Sequence, residues 1–544
     1  MITKNKIFIG VVPFIFIVVN LIYLSVIFPL YSGPPGYDQD PAYAYLFNGL
    51  LLLDGQAPWH VDHPGTPLQI LCACVIFVVH FFINLSGSIQ NIDLIDSVIS
   101  NPEPYLFATS CVLLVMNSGA IYYLGYRINK VSSKFWLPIF CQLSGLAFSM
   151  LSPRAAYVAP ESLLIFTTFC LIGLLVPVIF KSSFVQTPSG DCSTKWLGFF
   201  CGVGLAVKVT FIPMLGLLLL LQSWKKILKI ITIAVVTLLI LLIPVYTNLG
   251  RMFGWLWNVA SHSGIHGSGQ SILIDWTQLL QNIKLVLSWF APLYATVFLL
   301  FVYLLITLGR QFSNKSIRTP LVFMLVVIAQ SLLVLKHPGA HYLVPVLPLA
   351  FIGFAWLLVQ LELLIVDKEK NIKNIIRYVC ICVATIFALY GVLPTLKQIV
   401  VMKQQRIEQN NALLLINNEI QKTPDALVIC AFRCTTFQYA VSMALLYAPG
   451  LASRPVVIAI LRNFYEYNFL VKEMIAPGIG SFKLDELPEQ LTRHSKVFLI
   501  TPKSYPDLDV FKLEKVISAG VLTLYEITGL ATSGSIKQSH DQTN

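Results

Sequence analysis

Long apolar blocks are the feature that most restricts what this chain can fold into. They run at about 7–31, 67–85, 104–126, 135–151, 161–180, 196–222, 227–247, 284–308, 320–335, 341–366 and 376–395. A helix needs ~20 apolar residues to cross the hydrocarbon core of a bilayer. Backbone in lipid must also satisfy its own hydrogen bonds, which favours helices. The chain therefore reads as a polytopic α-helical membrane protein with about twelve or thirteen spans. Composition points the same way, with 56% hydrophobic and 12% charged residues, against roughly 25% charged in an ordinary soluble domain. The first block follows Lys4 and Lys6 and runs on to bulky residues at Tyr31. It is too long for a signal peptide and lacks a small-residue cleavage site, so it reads as an uncleaved first span starting in the cytoplasm.

A formal charge of +11 raises the question of nucleic acid. The Lys and Arg fall in short segments between apolar blocks, so no nucleic-acid partner is expected; this is how charge orients membrane proteins. Residues 127–134, 223–229, 310–318 and 367–377 are basic and read as cytoplasmic. Residues 336–342, 247–284 and 38–67, together with Lys208 if block 196–222 is a hairpin, then lie outside, as does everything after 397. Counts from the two ends disagree by one crossing between residues 60 and 135. Of eleven cysteines, most sit in or beside apolar blocks as small hydrophobes. Cys430 and Cys434 lie outside the membrane part, where a disulfide is one option.

Residues 1–396 form the predicted membrane domain, with a first external loop at 32–66. Residues 397–531 read as a soluble α/β domain outside the membrane. It has a helix at 404–421 and strands at 426–429, 455–460, 496–500 and 521–527. The polar tail 532–544 is expected to be disordered.

The first loop holds two polar clusters. Asp38 and Asp40 precede Pro41, and His60, Asp62 and His63 precede Pro64-Gly65-Thr66-Pro67. Two carboxylates this close to a bilayer can take a proton from a nucleophile or hold a divalent metal ion, with His63 as a further ligand. Asp40 alone can instead cap a helix at 42–53. Imidazoles at 60 and 63 can ligate metal, contact phosphate or move protons. Lys208 sits within an apolar stretch, where an unpaired ammonium is costly; it either meets a phosphate or snorkels to the interface. Lys336, His337 and His341 lie in a second His-Pro-Gly turn on the same side. Arg154 and Glu161 flank Pro153 and Pro160 and can form an ion pair. His262 and His266 occupy a glycine-rich loop after Trp255 and Trp257, which suits a mobile lid or a plain flexible loop. Walker A, GxGxxG after a strand, HExxH and GxSxG patterns are absent from the sequence, which argues against an ATP-driven pump, a zinc protease and a serine hydrolase.

With Asp38-Gln39-Asp40 after the first span and His63-Pro64 opening the next, the chain resembles the GT-C superfamily of polytopic glycosyltransferases. Its protein O-mannosyltransferase and lipid A aminoarabinose transferase branches look most alike. Gly202 to Lys208 is similar to a glycine-rich helix pair with an embedded lysine in such proteins. The chain departs in having Asp-Gln-Asp rather than adjacent acids and His-Pro-Gly-Thr-Pro rather than His-Pro-Pro-Leu. The resemblance implies a polyprenyl-phosphate sugar donor and an acceptor, a lipid, a glycan or a protein, that the sequence does not identify; a bacterial inner membrane is the expected location. It implies Asp38 or Asp40 as general base and donor-phosphate contacts from Lys208, Lys336, His63 and Arg154. His60, Asp62, Glu161, His337, His341, His262 and His266 are candidates for acceptor or secondary roles. A transporter or flippase for a lipid-linked or anionic solute is the alternative, since buried polar residues and many spans fit it too.

Overall fold

The computed structural model describes residues 2–32, 41–62, 64–86, 93–132, 134–180, 193–263, 269–272, 276–308, 314–364, 370–431, 436–468, 473–476, 480–502, 508–520 and 522–531. Two compact units emerge. The first comprises 1–24, 57–75 and 108–398; the second comprises 25–56, 76–107 and 399–544. The boundary predicted at 397 falls inside one continuous helix, Lys370–Gln421. The tail 532–544 lies outside the described residues.

The protein is a multi-pass membrane protein. Among the described residues, seven helices have the length and hydropathy of a span, or eight if a pair bent by 95° between Trp289 and Ala291 is one span. Shorter apolar helices, among them Thr194–Val207 and Val209–Leu220, account for further blocks. Burial ranks these helices. Pro160–Ile179 and Ala340–Leu363 are buried over 83% and 89% of their apolar windows, whereas Trp224–Ser261 is buried over only 22%. A helix apolar on all sides is placed by its neighbours, so the first two are central and the third faces lipid.

The apolar block 196–222 breaks at Lys208, as its sequence suggests. Thr194–Val207 is α-helical, Lys208 is extended (φ −161°, ψ 130°), and Val209–Leu220 continues as a 3-10 helix. The glycines before the break have a packing reason. A Cβ on Gly202 would lie 2.5 Å from the Ala234 carbonyl oxygen, and one on Gly198 would meet Ile233 and the Ile230 carbonyl. Small residues at this spacing let the helix press against Trp224–Leu242.

Glu103 lies in the stretch where the crossing counts disagree. Its carboxylate accepts from the Leu30 and Tyr31 amides at 2.8 and 3.1 Å and from the Tyr43 hydroxyl at 2.5 Å. The Phe28 and Phe107 rings pack edge-on nearby. At the other end Ser118 Oγ donates to Pro13 O, and Gln142 donates to both Ile9 O and Ile121 O. Partners thus run in opposite order along Ile2–Ile27 and Glu103–Val131, so the second helix retraces the first. Residues 28–102 therefore leave from and return to the same end of this helix pair, and they include Thr66–Leu85, which is long enough to span.

The second unit contains a seven-stranded sheet of order β4-β3-β2-β1-β5-β7-β6. Its strands are β1 Leu427–Ala431, β2 Phe464–Asn468, β3 Glu473–Ala476, β4 Gly480–Phe482, β5 Val497–Pro502, β6 Phe511–Ala519 and β7 Leu522–Leu530. β1 pairs in parallel with β2 and β5. One face buries Leu427, Ile429, Tyr467, Leu499 and Ile527 against Leu487. On β2, Glu466 is buried and accepts from Ser442 of the helix Phe437–Leu446 at 3.4 Å. Residues 455–460, expected as a strand, form the helix Pro455–Ile460. Pro455 at its first turn presets a helical φ, which outweighs the β-branched run that follows.

The helix Ala42–Leu53 forms as expected and is buried along nearly its whole length, with Pro41 rather than Asp40 at the N-cap position. Within this unit Asn48 donates to Tyr447 O at 2.8 Å. Arg454 binds Asp54 at 2.6 Å and Asp93 at 3.2 Å. Residues 41–56 of the first loop region and the C-terminal segment thus belong to one unit. Cys430 is disulfide-bonded; Cys434 lies outside the described residues.

Candidate functional site

The site grows from the helix break. Because the helix stops at Val207, that carbonyl is free to accept the Gly65 amide at 3.2 Å. Gly65 has φ +62°, a left-handed conformation that glycine adopts without strain. This bond carries the second loop-one cluster to Lys208. Thr66 Oγ1 donates to Pro64 O and Gln69 Nε2 to His60 O, which fix the turn.

Lys208 donates to Glu161 Oε1 at 2.7 Å, with side-chain exposures of 3% and 5%. Glu161 lies in the first turn of Pro160–Ile179, where the helix dipole favours a carboxylate. The Lys208 ammonium also sits 4.6 Å from the centroid of the Tyr342 ring, within cation–π range. The Tyr342 ring lies tilted against His341 with centroids 4.0 Å apart, and Gln330 holds the Tyr342 carbonyl at 2.7 Å. Arg154 and His341 lie within the electrostatic reach of Glu161. Arg154 also approaches the Tyr157 ring, at 5.9 Å.

His60 lies 4.0 Å from Asp62. Burial pushes its pKa down to about 4, and Asp62 only partly opposes this, so the imidazole is neutral at physiological pH. Arg251 and Lys208 add to the depression. Arg251 itself packs 4.4 Å from the Trp59 ring. Among the described residues the local charges are Lys208, Arg154 and Arg251 against Glu161 and Asp62, three cations against two carboxylates.

Six of the candidates are thus brought together: His60, Asp62, Arg154, Glu161, Lys208 and His341. The expected ion pair of Glu161 with Arg154 is replaced by Glu161 with Lys208. Lys336, His337 and His262 gather instead at the end of the helix Leu249–Ser261. Lys336 donates to Ala260 O, His337 Nε2 to Val259 O at 3.0 Å, and His262 Nδ1 meets Ser261 Oγ at 2.8 Å. Asp38, Asp40, His63 and His266 lie outside the described residues. Among the described residues no group of three His, Cys, Asp or Glu side chains is placed to hold a metal ion. Tyr342, Arg251 and Trp59 were not singled out from the sequence. Tyr342 directly follows His341, which was the available signal; aromatic contacts of the two cations carry no local pattern.

No family model matches the chain, and no curated protein does. Solved structures similar to it include two of one protein. One is ArnT from Cupriavidus metallidurans bound to undecaprenyl phosphate, at 12% identity and TM-score 0.49, covering 96% of this chain and 97% of that one. The other is ArnT from Cupriavidus metallidurans in the apo state, at 11% identity and TM-score 0.44, covering 90% and 93%.

Proposed function

We propose that this chain is a membrane glycosyltransferase that moves a sugar from a polyprenyl-phosphate donor to an acceptor on the extracytoplasmic face. The observation that carries the reading is the buried Lys208–Glu161 pair at a helix break, with Arg154 within electrostatic reach of the same carboxylate. A phosphodiester linking a lipid to a sugar carries one negative charge that Lys208 and Arg154 can meet while Lys208 keeps its bond to Glu161, so that no carboxylate is left buried and unpaired.

In the mechanism, Lys208 and Arg154 stabilise charge that develops on the leaving lipid phosphate. His60 is neutral and can donate a hydrogen bond without adding charge. Asp38 or Asp40, from the motif that resembles the GT-C acidic pair, takes the proton from the acceptor hydroxyl. That hydroxyl attacks the anomeric carbon in a single displacement, and the lipid phosphate leaves. A base in this role contributes about 10²–10⁴-fold. The donor's own lipid phosphate is the leaving group, so no nucleotide site is required.

Binding of undecaprenyl phosphate by the purified protein tests this, measured by native mass spectrometry. The wild type is expected to hold one lipid. The Glu161→Gln/Lys208→Met variant removes both charges without leaving either orphaned, and is expected to lose it. Equal binding by that variant would remove Lys208 from the proposal. A transporter shares the broken helices, and it differs in forming no glycoside.

A further inference from the structure

The second unit contains a groove of about 540 Å³ that the mechanism does not use. This volume lies within the roughly 300–1,000 Å³ typical of small-molecule sites. Val428, Phe464 and Ile500 form its floor, from three adjacent strands. Val428 and Phe464 are register partners, and Ile500 pairs with Cys430 two residues along β1, so all three project from one face of the sheet.

The rim is polar. It carries the amides of Asn417, Gln438 and Asn463 and one charge of each sign, Arg462 and Asp425. Each amide offers both donors and an acceptor, the combination that a hydroxyl group matches. The two charges cancel, so the rim carries no net attraction for a phosphate or a carboxylate. Both ends of the rim are anchored. The Asn463 carbonyl accepts from the Val428 amide at 2.8 Å, and the Asp425 carbonyl from His494 Nδ1 at 2.9 Å. Asn463 holds φ 56°, an uncommon conformation outside glycine that asparagine tolerates better than most and that often marks functional sites.

We infer that this groove binds a neutral, hydroxyl-rich glycan, with sugar C–H faces on the partly exposed Val428, Ile420 and Ile460 of the lining and ring hydroxyls on the rim amides. The inference rests on the transferase reading only in taking that glycan to be part of the acceptor.

The test uses the full chain in lipid nanodiscs and saturation-transfer NMR against two panels. One holds neutral disaccharides and trisaccharides; the other holds uronic-acid and phosphorylated oligosaccharides of the same length. Asn417 and Gln438 are exposed, so Asn417→Ala and Gln438→Ala should leave the fold intact. At least one neutral glycan is expected to bind the wild type and to bind each variant roughly three- to tenfold more weakly. Binding of acidic glycans alone, of no glycan, or equally by wild type and variants overturns the inference. Asp38→Asn is expected to keep glycan binding while losing transfer. Transfer without neutral-glycan binding sinks the groove and leaves the transferase, and glycan binding without transfer does the reverse.

Discussion

Lys208→Met is the sharpest perturbation of the cluster. At 2.7 Å and an effective dielectric of ~20, the two charges attract by about 6 kcal/mol. Burying them costs several kcal/mol per ion, so the intact pair contributes little net stability. Removing only the lysine abolishes the attraction and leaves a carboxylate 5% exposed. The expected loss is about 3–5 kcal/mol for Lys208→Met. Glu161→Gln should cost a similar amount, since it leaves the ammonium unpaired. The Glu161→Gln/Lys208→Met double variant leaves no buried charge, and should lose only ~1 kcal/mol. Unfolding by SDS titration in mixed micelles gives all four corners of the cycle. The account requires a coupling energy of at least ~2 kcal/mol. Additive single effects, with coupling below ~0.5 kcal/mol, would show that the pair is not formed as described.

Other consequences follow from single residues. Gly202→Leu drives a side chain into the Ala234 carbonyl 2.5 Å away, so it should destabilise by at least the ~1–3 kcal/mol of an overpacked core in the same titration. Burial raises Glu466 from 4.5 to about 7. The folded domain therefore holds this proton more tightly than the unfolded chain, and stability falls as pH rises from about 4.5 through about 7. The total is on the order of 3 kcal/mol, and hydrogen exchange in β2 should show the slope in the wild type and lose it in Glu466→Gln. Arg454→Ala breaks two partly exposed ion pairs and should cost no more than ~1 kcal/mol, seen as faster exchange in Ala42–Leu53. His60, with a pKa near 4, should contribute no ionisation to a pH–rate profile between pH 5 and 8, and a limb that disappears in His60→Gln would contradict its burial.

Much of the membrane part was legible because lipid enforces simple rules. Apolar length marked the long apolar helices, of which seven or eight among the described residues have the length of a span against the twelve or thirteen expected. The break at Lys208 showed as a charge beside glycines and ahead of Pro213. The segments around His60, Lys208 and His341, all assigned to one side by charge, do meet. What was not legible depends on contacts distant in sequence. Glu103 anchoring Leu30 and Tyr31 decides that residues 28–102 return to the end they left, and nothing local announces it. Glu161 chose Lys208 over Arg154, its neighbour in sequence, for the same reason. In the sheet, β6 was missed because Lys512, Glu514 and Lys515 break its apolar pattern. Charges of this kind are expected on an edge strand, where they discourage pairing with other chains.

Mass spectrometry of lipid-linked sugars and envelope glycans tests the central claim most directly. It would compare cells with this protein, cells without it, and cells carrying Asp38→Asn or Glu161→Gln/Lys208→Met. The account predicts that one glycoside disappears in the last three while its polyprenyl-phosphate donor accumulates. An identical glycan and donor profile in all four would contradict the assignment as a glycosyltransferase.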